Sequence, residues 1–119
     1  MLVVDDDPAV RAAAKDSLQG AGYAVVTAGN GQEALAALHN GTRPALVLFD
    51  LEMPGMDGWQ FRAEMTAVPG LAEVPVVVMS QARAVELAAH CLFAVGFVKK
   101  PLRGDELLEA VRQHAGRRP

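Results

Sequence analysis

At 119 residues, 51% of them hydrophobic, the chain suits one domain with a real core, burying roughly two-thirds of the surface its unfolded form exposes. Its 11 basic and 14 acidic residues leave a net charge of -3, which argues against direct nucleic-acid binding driven by electrostatics. No apolar run approaches the roughly 20 residues that span a bilayer, Met1 to Val4 runs into acidic Asp5 without a basic leader, and the lone Cys91 lacks company for a disulfide or a zinc site. A soluble, cytoplasmic protein with no membrane contact is expected.

Leu2-Val3-Val4 reads as a short strand that ends in Asp5-Asp6-Asp7. Pro8 has the fixed φ that suits a first helical turn, so Asp7 is the natural N-cap of a helix from Pro8 to about Gln19. Val10, Ala13, Ala14 and Leu18 share one face of it, and Gly20 and Gly22 close it. Tyr23 to Ala28 predicts a second strand. Gly29-Asn30-Gly31 then turns the chain into a helix from Gln32 to about His39, with Leu35 and Leu38 inward and Asn40-Gly41 as its stop.

The third strand, Ala45 to Asp50, is apolar at both parities before its terminal carboxylate, the pattern of a strand buried on both faces in a parallel sheet. Pro54, Gly55 and Gly58 make a loop that releases a short helix from Trp59 to about Met65. Pro69-Gly70 and Pro75 frame a fourth buried strand, Val76 to Met79, closed by Ser80. A helical segment from about Ala84 to Phe93 leads to a fifth strand, Phe97 to Lys99, and to Lys100-Pro101. The last helix, about Asp105 to Gln113, carries Leu107, Leu108 and Val111 on one face. Strands alternating with crossover helices predict a parallel sheet with helices on both sides.

In such a sheet all strand ends point one way, so Asp5 and Asp6, Asp50, Ser80 and Lys100 share one crevice despite their separation in sequence. Carboxylates gathered this closely repel one another unless a cation sits among them, and an oxygen-rich, partly hydrated site is what Mg²⁺ accepts. Lys100 and Ser80 add a positive charge and a hydroxyl donor, the groups needed to hold phosphoryl oxygens. Taken singly these features are weak: an Asp triplet before a proline is often a helix cap, a Lys-Pro pair says almost nothing, and Asp57 reads as a turn residue. Their strength lies in the order, each directly after an apolar strand. His39, His90 and His114 have no carboxylate or cysteine partners at ligand spacing and read as surface or boundary residues.

The stretch Asp50-Leu51-Glu52-Met53-Pro54-Gly55-Met56-Asp57-Gly58, with the other four strand ends, resembles the receiver domain of bacterial response regulators across Leu2 to about Gln113. The resemblance implies a flavodoxin-like, doubly wound five-stranded parallel sheet of order 2-1-3-4-5, with residues 1–119 as one domain; that strand order is analogy, since a chemotaxis member of the family is itself the standard example of it. It implies that Asp50 is the nucleophile that takes a phosphoryl group from a phosphohistidine of a sensor histidine kinase or histidine phosphotransfer protein. Asp6 and Asp50, with the backbone carbonyl of Glu52, would bind Mg²⁺ directly, and Asp5 through water. Lys100 would contact the acyl phosphate, Ser80 would swing to a phosphoryl oxygen, and Phe97 would follow it as an aromatic switch. The Lys100-Pro101 bond would be cis.

Against that pattern, the segment between Ser80 and Lys100 is short and Phe93 stands where many relatives have glycine. Leu92, Phe93 and Val95 crowd apolar surface near the face made by that segment's helix, the fifth strand and the last helix, where the family docks an output partner or forms a homodimer. Glu52 borders the site with a charge that either repels the phosphodonor or pairs with Lys100. Phe97 lacks a tyrosine hydroxyl, so its inward rotamer is expected to be substantially populated even without phosphate. The expected role is a signalling switch that catalyses only its own phosphorylation and dephosphorylation. The alternatives are an aspartyl-phosphate phosphatase or phosphotransferase, for which Asp5-x-Asp7 offers a haloacid-dehalogenase-like motif, and a degenerate receiver that serves as a binding module.

Overall fold

The computed structural model of the chain describes residues 1–53, 55–56, 58–81 and 94–114. The strands are β1 (Leu2–Val4), β2 (Val26–Ala28), β3 (Val47–Asp50), β4 (Val76–Ser80) and β5 (Gly96–Lys99), and the helices are α1 (Pro8–Gly20), α2 (Gly31–His39), α3 (Gly58–Thr66) and α4 (Gly104–His114). Every strand pair is parallel and the order is β2-β1-β3-β4-β5, the doubly wound arrangement. The expected helix from Ala84 to Phe93 lies outside the described residues, with His90, Cys91, Leu92 and Phe93, as do Pro54, Asp57 and the segment from Gly116 to Pro119.

The two parities of the strands face two separate cores. Val4, Val47, Phe49, Val76 and Val78 pack on α2 and α3 through Ala34, Leu35, Leu38, Phe61 and Met65. Val3, Leu48, Val77, Met79 and Val98 pack on α1 and α4 through Ala14, Leu18, Leu107 and Val111. This is the physical reason for unbroken apolar runs: a strand covered on both faces has no position for a solvated side chain. Phe49 and Phe61 stack with centroids 4.6 Å apart, fixing α3 against the sheet just before the chain reaches Asp50.

Local chemistry places the helix starts. Asp7 caps α1 by accepting the Ala9 N–H at 2.9 Å, with Pro8 at the first helical position. Asn30 caps α2 by accepting the Glu33 N–H at 2.8 Å, and the Glu33 carboxylate reaches back to the Gly29 N–H. Two expectations need correction. Residues 23–25 are not strand, because the Tyr23 N–H still closes α1 by donating to Leu18 O at 3.0 Å, which delays β2 to Val26. On α1, Ala14 and Leu18 are buried, whereas Ala13 is exposed and Val10 half-buried. The first turns of α1 overhang the end of the sheet, and there Val10 and Ala13 line a groove with Lys100, Pro101 and Leu102.

Candidate functional site

At the carboxyl edge of the sheet, Asp50 ends β3 and pairs in register with Met79 of β4, so Ser80 falls one step beyond it; Ser80 in turn pairs with Lys99. Parallel pairing thus delivers Asp5, Asp50, Ser80 and Lys100 to one edge. Among the described residues, Asp5, Asp50 and Ser80 are the buried polar side chains, at 0%, 2% and 1% exposure.

Lys100 reaches into this edge. Its Nζ lies 2.7 Å from Asp5 Oδ2 and 3.2 Å from Asp50 Oδ1, with its side chain 10% exposed. The Lys100-Pro101 bond is cis. Asp5 is anchored by the Asp7 N–H, which donates to Oδ1 at 2.9 Å, and by Arg11, whose Nη1 donates to the Asp5 carbonyl at 2.7 Å. Arg11 was not singled out in the sequence; the signal was a cation one turn into the helix that Asp7 caps. Asp50 Oδ1 also accepts the Glu52 N–H at 3.0 Å, which curls the chain into its loop. Further along that loop Gly55 takes φ +95°, a left-handed conformation that a side chain would strain.

Burial pushes the Asp50 carboxyl above the usual carboxylate range; the Asp5 charge adds to this, while the Glu52 N–H and Lys100 oppose it. Burial alone would lower the Lys100 ammonium, but its close contacts and charge interactions with Asp5 and Asp50 outweigh that and hold it above the ordinary lysine value. Both directions describe two buried carboxylates sharing one ammonium. Asp5 Oδ2 is buried without a well-directed hydrogen bond, since Lys100 Nζ approaches it at contact distance but off the hydrogen-bonding direction. The carboxylate oxygens of Asp5, Asp6 and Asp50 lie within 4.8 Å of one another, with Asp6 exposed. Hard oxygen donors in this spacing, one of them buried and incompletely satisfied, form a group that fits a small divalent cation.

Glu52 is exposed, and its carboxylate reaches across to β4. Ser80 Oγ donates to Glu52 Oε2 at 2.8 Å, and the Gln81 N–H donates to the same carboxylate at 3.1 and 3.3 Å. Phe97 is 42% exposed and borders a groove of about 610 Å³ between β5 and α4. The ring stands outward in this structure, one of the two positions between which the expected exchange would run. Val95, at 53%, is exposed on the same side of the chain's fifth strand.

A doubly wound parallel sheet with an acidic pocket and a lysine at its carboxyl edge defines the class of this protein. The chain matches the response regulator receiver domain family over residues 1–112 and belongs to it. It is 36% identical over 118 residues to the positive alginate biosynthesis regulatory protein of Pseudomonas aeruginosa, covering 95% of this chain and 46% of that one. It is 35% identical to the DNA-binding response regulator MtrA of Mycolicibacterium smegmatis, covering 94% of this chain and 48% of MtrA. The chain thus spans about half or less of several of the curated relatives it matches. Among solved structures, the receiver domain of NtrX from Brucella abortus matches with a TM-score of 0.85 and 29% identity over 98% of both chains. The chemotaxis protein CheY4 of Vibrio cholerae matches at 0.84 and 28% over 95% of both. Receiver domains are signalling domains of two-component systems that histidine kinases phosphorylate. No helix among the described residues is long and apolar enough to cross a membrane.

Proposed function

We propose that residues 1–119 act as one receiver domain, a cytoplasmic switch of a two-component phosphorelay in which Asp50 is the phosphoacceptor. The observation that carries this reading is the position of Asp50: 2% exposed at the end of a central strand, among two other carboxylates and 3.2 Å from Lys100 Nζ. Oδ1 is engaged by the Glu52 N–H and Lys100, which leaves Oδ2 as the nucleophile. It attacks the phosphorus of a phosphohistidine on a sensor histidine kinase or histidine phosphotransfer protein. A P–O bond forms, the P–N bond breaks, and the imidazole leaves with its electron pair and takes a proton from solvent. Asp6 and Asp50 with the Glu52 carbonyl would hold Mg²⁺ directly and Asp5 through water, and the bound ion would neutralise charge on the phosphoryl oxygens.

In this reading Lys100 moves from sharing its charge between Asp5 and Asp50 to contacting the new phosphoryl group. Ser80 Oγ turns to a phosphoryl oxygen, and Phe97 follows into the space it leaves. The face around β5 and α4 is thereby reshaped by a shift between two populations, for an output partner or a second copy of the chain. The protein's catalysis is confined to its own phosphorylation and dephosphorylation. Incubation with Mg²⁺ and acetyl phosphate, followed by intact mass, tests the assignment: the wild type gains one phosphoryl group and Asp50→Asn gains none. A phosphorylated Asp50→Asn, or repeated turnover of p-nitrophenyl phosphate by the wild type, refutes it.

A further inference from the structure

A serine hydroxyl has one proton and donates it to one acceptor at a time. In this structure Ser80 gives that proton to Glu52, at 2.8 Å, and the N–H of the next residue, Gln81, points to the same carboxylate. Both donors stand at the carboxyl end of β4, beside the Asp50 edge. Glu52 is anchored to that edge by its own main chain, since its N–H donates to Asp50 Oδ1. Its carboxylate therefore presents two anionic oxygens next to the phosphoacceptor and occupies the hydroxyl that the phosphoryl group requires.

We propose that Glu52 is a latch on the switch: its carboxylate stands in for the phosphoryl group in the resting state, holds Ser80 and the Gln81 N–H, and must be displaced before Ser80 can turn to Asp50. The latch rests on the reading of Asp50 as phosphoacceptor and adds the regulation of that site. Two anions compete for the same donors and repel each other, so the states are mutually exclusive. Release is accessible because Glu52 is exposed and its carboxylate can return to water. Glu52 acts through Ser80 and is a positioning residue; its presence biases the equilibrium toward the resting state and makes the active state harder to populate.

The probe is beryllium fluoride with Mg²⁺, a non-covalent phosphoryl mimic, titrated into the intact protein and followed by amide NMR. Glu52→Ala is expected to bind it about tenfold more tightly, the size of one hydrogen bond to a charged group. Glu52→Gln, which keeps a weaker neutral acceptor, should gain less. In the Ser80→Ala background the gain from Glu52→Ala should fall below about threefold, because only charge repulsion and the longer Gln81 N–H contact remain to be relieved. The free Gln81 amide should shift in both Glu52 variants. An equal gain with and without the Ser80 hydroxyl overturns the latch and leaves plain repulsion; no gain in either Glu52 variant also overturns it. In both cases, phosphoryl uptake by the wild type keeps the assignment of Asp50 intact. A wild type that neither binds the mimic nor takes up phosphoryl removes both readings.

Discussion

Asp50 sits where a carboxylate costs stability, and Asp50→Asn should make the metal-free protein more stable. At an effective dielectric of about 20, Lys100 Nζ at 3.2 Å attracts Asp50 by about 5 kcal/mol. An Asp5 oxygen within 4.8 Å repels it by about 3.5 kcal/mol or more at the same dielectric. The small surplus is outweighed by the several kcal/mol that desolvating a buried ion costs. That balance accounts for the raised Asp50 pKa, whose largest cause is burial. Asparagine keeps the shape and the Oδ1 that accepts the Glu52 N–H, and Lys100 retains Asp5 at 2.7 Å. The expected gain is about 1 to 2 kcal/mol, or roughly 3 to 6 °C in Tm per kcal/mol for a domain of this size. An acid whose folded pKa lies above its unfolded value of about 3.9 binds more protons folded than unfolded between the two values. Its penalty is therefore complete above the folded pKa and fades as pH falls through it. Thermal and urea denaturation in EDTA, at pH 7.5 and at steps down to pH 5, measure the difference. A variant less stable than wild type at pH 7.5, or a gain that grows on acidification, would show that ionised Asp50 is not under electrostatic strain.

Lys100→Met should destabilise the metal-free protein by about 3 to 5 kcal/mol, because it leaves two buried carboxylates without their shared ammonium. Added Mg²⁺ should restore part of that loss in urea melts, and an unchanged midpoint in EDTA would contradict the pairing. At a hundredfold excess over its dissociation constant, Mg²⁺ should stabilise the wild type by about 2.7 kcal/mol. Asp6→Ala should abolish that gain, and an undiminished rise in Tm would remove Asp6 from the ligand set. Gly55→Ala should cost about 1 to 2 kcal/mol because φ is +95° there, and unaltered stability would refute the strain.

The strand ends were legible because one physical fact governs them. A parallel sheet covered on both faces demands apolar residues at both parities, so a polar residue that closes such a run marks the edge. Asp5, Asp50 and Ser80 announced themselves in this way, since β1, β3 and β4 are buried throughout, whereas Lys100 follows a strand in which Val98 alone is buried. Asp7 before Pro8 likewise carried the start of α1, since a cap is satisfied within a few residues of chain, while the Gly29-Asn30-Gly31 turn placed the start of α2 one residue late, at Gln32 rather than Gly31. The failures have a common cause as well. Tyr23 looked like strand because its side chain suits one, but its N–H was already committed to ending α1. Val10 and Ala13 kept helical spacing with Ala14 and Leu18, yet α1 outruns the sheet, and periodicity does not report how far a partner extends.

Glu52 marks the sharper boundary between what a sequence carries and what only packing decides. Its charge was visible, but the partner of an exposed loop side chain is set by which strand end the loop crosses, here β4, 28 residues away. The distinction matters for the pocket's charge. Asp5, Asp6 and Asp50 against Lys100 leave a formal charge of -2, which a divalent cation balances. Glu52 is partly compensated by the Ser80 hydroxyl and the Gln81 N–H and is not needed in that balance. Had its carboxylate turned to Lys100, the ammonium would have been divided among three anions, with less of it left for a phosphoryl group. On the proposed reading of Asp50 as phosphoacceptor, directing Glu52 to Ser80 would preserve the lysine for the acceptor and place the opposing charge on the group that would have to move.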